Sequence, residues 1–347
     1  MFRTCVQAVF VALIMLSFVF IPAVADQTLP VEETDSAAGY LPDNDHAYLI
    51  SPVDENVYTR TPKYYFSRPV GATEYFIQVW SQGPPFESAY TIQGAGVCND
   101  YYCYLQSLQK LKPRSMGYSG NYTWQIQALV GGVWYGFSEQ ATFTVLSKGF
   151  NDSFSVSPTK WHTWNGNWTW NQVKGRMQTP GKNEEYSSLN HQEAFLNYEY
   201  TVRMKRKVDD KYPNSIIVMG LPDPIGASGQ WSDAVYFSYK NEGYWALWTV
   251  VGGVIPSSLT WHEEDVINEF GWNELKVRVY RPYVDLWING KYLGWYEVTS
   301  VNGEYVGVDM YSTGVTDDKF LVDWATLVPI KFSAFGEHDP AMQLGQD

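Results

Sequence analysis

Val284-Asp-Leu-Trp-Ile288, Asn289-Gly290 and Lys291-Tyr-Leu293 form the stretch on which the fold turns. Its first run alternates apolar and polar residues, the period of a strand with one buried face. The Asn-Gly pair then supplies two positions that reach φ > 0 at low cost. The stretch therefore predicts an antiparallel hairpin with a two-residue type I′ turn.

Working outward, strand-like runs succeed one another with no helical period of useful length. They cover 199–207, 215–220, 234–240, 244–251, 275–280, 305–310 and 320–328. In Asp233-Ala-Val-Tyr-Phe-Ser-Tyr239, one face carries Val235, Phe237 and Tyr239, and the other Ala234, Tyr236 and Ser238. Trp245 and Trp248 fall on opposite faces of the next run, so one of them must leave an inter-sheet core. Upstream, Tyr75-Phe-Ile-Gln-Val-Trp80, Tyr122-Thr-Trp-Gln-Ile-Gln-Ala128 and Ala141-Thr-Phe-Thr-Val145 alternate in the same way. Gly and Pro clusters separate them. Short strands at such spacing predict sandwiches. A chain of this length exceeds what one core usually supports, so two all-β domains are expected, at 46–147 and 148–330.

The chain begins with a short segment bearing Arg3, an apolar run from Ala8 to Phe20, and Ala23-Val-Ala25. This has the form of a cleavable signal peptide over 1–25, followed by a flexible leader at 26–45; residues 331–347 read as a disordered tail. A secreted protein, with no membrane attachment after cleavage, is the expectation. The formal net charge is −13, from 24 Lys and Arg against 37 Asp and Glu, and five His counted as neutral. Such a surface repels phosphate backbones, which argues against nucleic acid. The one dense basic stretch, Arg203-Met-Lys-Arg-Lys207, alternates like a strand face. With Cys5 in the signal peptide, Cys98 and Cys103 remain, and in an oxidising compartment they are expected to close one local disulfide.

Leu111-Lys-Pro113 followed by Tyr122-Thr-Trp124 resembles the E–F corner of fibronectin type III domains. There a tyrosine hydroxyl ties back to the upstream backbone, a role that falls to Tyr122. The hairpin at 131–138 looks like that family's F–G turn. Downstream, the ordered series Phe150-Asn-Asp-Ser-Phe154, Tyr198-Glu-Tyr-Thr-Val-Arg-Met204, Gly271-Trp-Asn-Glu274, Asp285-Leu-Trp-Ile-Asn-Gly-Lys291 and Phe320-Leu-Val-Asp-Trp324 resembles the concanavalin A-like lectin/glucanase jelly roll. The resemblance implies an immunoglobulin-like sandwich followed by a jelly-roll sandwich, and a partner that is an extracellular polysaccharide or glycan. It also implies one structural calcium ion, held by Asp152 and Asp323, since hard carboxylate oxygens suit that ion.

Sugars offer flat C–H faces that aromatic rings cover, with polar neighbours fixing the hydroxyls. Twelve of the 15 Trp lie in 149–330. Trp231, Tyr236, Trp245 and Trp248 are the candidate ligand-binding rings, on an exposed groove, with Arg203 supplying donors beside Tyr236. Glycoside hydrolases of this fold place paired carboxyls on one strand, and Glu263-Glu-Asp265-Val-Ile-Asn-Glu269 imitates that spacing. Glu264 stands where an apolar residue is expected and the segment reads as a loop, so no catalytic residue is assigned. Three functions stand open: a carbohydrate-binding or adhesion protein, a glycan-active hydrolase, and a surface protein-interaction module without sugar affinity.

Overall fold

The computed structural model describes residues 47–82, 90–181, 183–208, 211–222, 226–314 and 317–330. The expected signal peptide at 1–25, the leader at 26–45 and the tail at 331–347 lie outside the described residues. No helix occurs among those described, and the chain is a succession of strands in four sheets.

The first two sheets use β1 (Leu49–Ser51), β2 (Glu55–Val57), β3 (Lys63–Ser67), β4 (Ala72–Ser81), β5 (Tyr90–Gly94), β6 (Val97–Cys98), β7 (Tyr102–Gln106), β8 (Asn121–Val130), β9 (Val133–Trp134) and β10 (Ala141–Val145). One sheet runs β1-β3-β7-β6. The other runs β2-β10-β8-β4-β5, with β9 hairpinned onto β8. Tyr64 and Phe66 from the first meet Tyr75, Ile77, Trp124 and Phe143 from the second in a buried core. The Tyr122 hydroxyl accepts from the Lys112 N–H at 2.9 Å and donates to the Lys112 carbonyl at 3.1 Å. Cys98 and Cys103 stand opposite each other on β6 and β7 and are joined by a disulfide.

The second pair of sheets comprises β11 (Phe150–Asp152), β12 (Trp161–Thr163), β13 (Thr169–Asn171), β14 (Arg176–Thr179), β15 (Glu185–His191), β16 (Tyr198–Arg206), β17 (Asn214–Leu221), β18 (Asp233–Lys240), β19 (Tyr244–Val250), β20 (His262–Glu263), β21 (Asn273–Tyr280), β22 (Tyr283–Ile288), β23 (Lys291–Glu297), β24 (Tyr305–Ser312) and β25 (Phe320–Pro329). An eight-stranded sheet runs β13-β14-β25-β16-β21-β22-β23, with β11 also on β25. A seven-stranded sheet runs β12-β15-β24-β17-β18-β19-β20. Tyr200, Val202, Val277 and Leu286 from the former pack on Leu189, Ile216, Phe237 and Val308 from the latter. Each such side chain contributes about 1.5–3 kcal/mol by leaving water. The hairpin at 284–293 forms as expected. Ile288 pairs Lys291, and Asn289 and Gly290 have φ of 49° and 84°.

The two sandwiches are bonded through their backbones. Ser115 bridges Glu193, the Met116 N–H donates to the Gln192 carbonyl at 2.9 Å, and the Ala194 N–H donates to the Arg114 carbonyl at 3.1 Å. Arg114 also pairs Glu304 at 3.0 Å. Glu193 accepts from Lys160 at 2.8 Å and from the Ser147 hydroxyl.

Candidate functional site

Five strands of the seven-stranded sheet turn a second face away from the inter-sheet core. Strand alternation places Tyr186, Ser188 and Asn190 of β15 on this face. Gly307, Asp309 and Tyr311 of β24 join them, with Ser215 and Ile217 of β17, Ala234, Tyr236 and Ser238 of β18, and Ala246, Trp248 and Val250 of β19. The registers align these residues into rows across the strands. One row reads Ser188–Asp309–Ser215–Ser238–Ala246, and its neighbour reads Asn190–Gly307–Ile217–Tyr236–Trp248. A line of small side chains with one carboxyl therefore runs beside a line that ends in large aromatics.

The rings gather over this small row. Tyr236 and Trp248 stack at 4.2 Å and 15°. Tyr186 lies 6.2 Å from Trp248 and 6.3 Å from Tyr236. The Trp248 indole N–H donates to the Ser238 hydroxyl at 2.8 Å, and Ser238 and Ser215 share a bond of 2.8 Å. The Tyr236 hydroxyl accepts the Trp231 backbone N–H at 3.0 Å. Trp231 itself lies over Gly220 and Gly307, where only glycine leaves room for its ring.

Asp309 is the exception to this satisfaction. It is fully buried, and neither carboxyl oxygen has a hydrogen-bond partner. Burial pushes its pKa well above the ordinary carboxylate range and so favours the neutral acid. Ser188 Oγ, Asn190 Oδ1, Trp164 Nε1 and Trp231 Nε1 are also buried without partners. Such atoms are costly, so those on this face call for a partner. The face is closed above by Trp164, Tyr305 and Tyr311, and by Ile255, Leu259 and Trp261 of the connection between β19 and β20.

Three of the expected ligand-binding residues, Trp231, Tyr236 and Trp248, come together here. They are buried rather than exposed on an open groove, because the β19–β20 connection packs over them. Trp245 faces the other way, into the inter-sheet core, and its ring stacks at 4.7 Å on His262 of the edge strand β20. Arg203 is not beside Tyr236. It lies on β16 in the opposite sheet and pairs Asp323 at 2.9 Å. The two expected calcium ligands are engaged elsewhere: Asp323 by that guanidinium, and Asp152 by the Trp161 indole N–H at 2.6 Å. Among the described residues no group of three His, Cys, Asp or Glu side chains is placed to hold a metal. In the acidic segment after β20, Asp265 is exposed, and Lys291 pairs both Glu264 (2.7 Å) and Asp265 (3.4 Å).

No family model matches the chain, and no curated protein matches it. Solved structures similar to it include the carbohydrate-binding module CBM66 from Bacillus subtilis. That likeness has 11% identity and a TM-score of 0.40, covering 49% of this chain and 95% of that one. The Bacillus licheniformis β-glucanase is similar at 10% identity and a TM-score of 0.41, covering 53% and 99%. The exoplasmic/lumenal domain of VIP36, in its Ca2+/Man3GlcNAc-bound form, is similar at 16% identity and a TM-score of 0.41, covering 57% and 92%.

Proposed function

We propose that this is an exported carbohydrate-binding protein whose second sandwich takes a glycan on the outer face of the seven-stranded sheet. The observation that carries the reading is the row Ser188–Asp309–Ser215–Ser238 beneath Tyr186, Tyr236 and Trp248. A sugar ring presents an apolar C–H face to aromatic rings and a rim of hydroxyls that both donate and accept. A protonated carboxyl and a serine hydroxyl do the same, and the unpartnered oxygens of Asp309 and Ser188 are supplied with partners by such a rim. Binding requires the connection at 251–261 to lift Ile255, Leu259 and Trp261 off the face. The first sandwich acts as a spacer, and the Cys98–Cys103 bond suits an oxidising compartment outside the cell.

The row carries a single carboxyl, whereas glycoside hydrolysis uses two, about 5–10 Å apart. The closed cover favours a second reading, a protein-interaction module in which this face is simply a second core. A glycan array probed with the full chain separates the two. Binding that falls at least tenfold in both Asp309→Ala and Trp248→Ala, with circular dichroism unchanged, supports sugar recognition on this face. An array with no bound glycan, or binding indifferent to both substitutions, overturns it.

A further inference from the structure

The eight-stranded sheet also turns a face outward, and it is built differently. On β22, Val284, Leu286 and Ile288 point into the core, which turns Tyr283, Asp285 and Trp287 to the other face, where Asp285 is itself buried. On β21 the outward set is Glu274, Lys276 and Arg278; on β16 it is Glu199, Thr201, Arg203 and Lys205. The registers align a row Asn151–Thr326–Thr201–Lys276–Trp287–Tyr292 across six strands. Beside it runs Glu199–Arg278–Asp285–Trp295.

One end of this face is a shallow depression of about 530 Å3, lined by Trp324 together with Asn151, Glu199, Thr201, Lys276 and Thr326. At the other end are open rings, with Trp295 54% and Tyr292 42% exposed. Trp287 lies between them, with Lys276 Nζ 4.3 Å and the Arg278 guanidinium 5.3 Å from its ring centre. Tyr292 packs 5.2 Å from Trp287, and Tyr283 holds Trp295 edge-on at 5.6 Å. From β25 to β23 the face spans four strand spacings, or about 19 Å.

Large rings at such exposure on a sheet face mark an interaction surface. The charges decide what it takes. Arg203, Lys205, Lys276 and Arg278 are balanced by Glu199, Glu274, Asp285 and Asp323, in pairs such as Arg278–Glu199 at 3.2 Å. A polyanion or an anionic membrane gains no net attraction from a balanced surface. A neutral chain of hydroxyls does, because Arg203, Lys276 and Arg278 each lie beside a carboxylate and a ring. We infer that the outer face of the eight-stranded sheet is a second carbohydrate site, which takes a neutral polysaccharide laid across the strands from Trp324 to Trp295. It goes beyond the reading of the seven-stranded face and does not depend on it.

Affinity electrophoresis of the full chain through gels containing soluble β-glucan, mannan, xylan or heparin tests the inference. Trp295→Ala and Trp324→Ala, both on the outer face, are run beside Asp309→Ala, with thermal melting as the folding control. The expected result is retardation by at least one neutral polysaccharide, weakened several-fold to about tenfold in each Trp variant. Retention of wild-type affinity in both Trp variants overturns the second site, even where Asp309→Ala shows the first to be real. Loss in the Trp variants with none in Asp309→Ala supports this site and removes the other. Retardation by heparin alone, or by no polymer, overturns it.

Discussion

Arg206 and Asp318 form an ion pair at 2.6 Å with neither side chain exposed to solvent. Arg206 also donates to the Tyr311 carbonyl at 2.9 Å, which ties β16 of one sheet to β24 of the other. Removing one partner leaves a buried charge uncompensated, at a cost of about 3–5 kcal/mol. Asp318→Ala is expected to lower the urea midpoint accordingly, and Arg206→Met with Asp318→Leu to recover much of the loss.

Tyr122→Phe deletes a hydroxyl that both donates to and accepts from Lys112. The orphaned Lys112 groups are part-buried, so the expected loss is about 1–3 kcal/mol. Urea denaturation followed by circular dichroism reads it.

Gly307→Ala introduces a Cβ 2.6 Å from the Leu189 carbonyl oxygen and 2.8 Å from the Trp231 ring. The ring must move, and overpacking of this kind costs about 1–3 kcal/mol. A melting temperature unchanged from wild type would show that Trp231 is not wedged there.

The pH dependence of stability sets two groups against each other. Asp309 has its pKa raised by burial, so its contribution is complete below pH ~4 and is lost as pH rises towards the folded value. His191 is lowered to about 4, chiefly by burial, with Lys160 acting in the same direction and Glu193 against it. Its contribution is complete above pH ~6.5 and is lost as pH falls towards 4. Between those limits the slopes oppose, each at up to about 1.4 kcal/mol per pH unit. Wild-type stability is therefore expected to be nearly flat there. Asp309→Asn is expected to be more stable at neutral pH and to weaken steadily on acidification, as chemical denaturation at pH 4.5, 5.5 and 6.5 would show.

Alternation made much of this fold legible. The facing of β18 and the opposed orientations of Trp245 and Trp248 follow from a period of two, and the hairpin from the Asn289-Gly290 pair. β15 was not legible, because Glu185-Tyr-Ser-Ser-Leu-Asn-His191 has little strand propensity and owes its place to burial between β12 and β24. Asp309 lies in a recognisable strand run, yet an aspartate there ordinarily faces water; its burial depends on a cover from a distant connection. Adjacency in sequence does not say which sheet a strand joins, so nothing in the sequence puts Arg203 on the sheet opposite Tyr236. Trp287 and Trp295 were within reach: the apolar positions Val284, Leu286 and Ile288 already force Trp287 outward.

β11 and β25, the first and last strands of the second sandwich, pair antiparallel, with Phe150 opposite Leu327 and Asp152 opposite Ala325. Gly149 and Ile330 thus leave the same end of one ladder. Tension applied through both ends of the sandwich would open that ladder one hydrogen bond at a time instead of shearing all of them together.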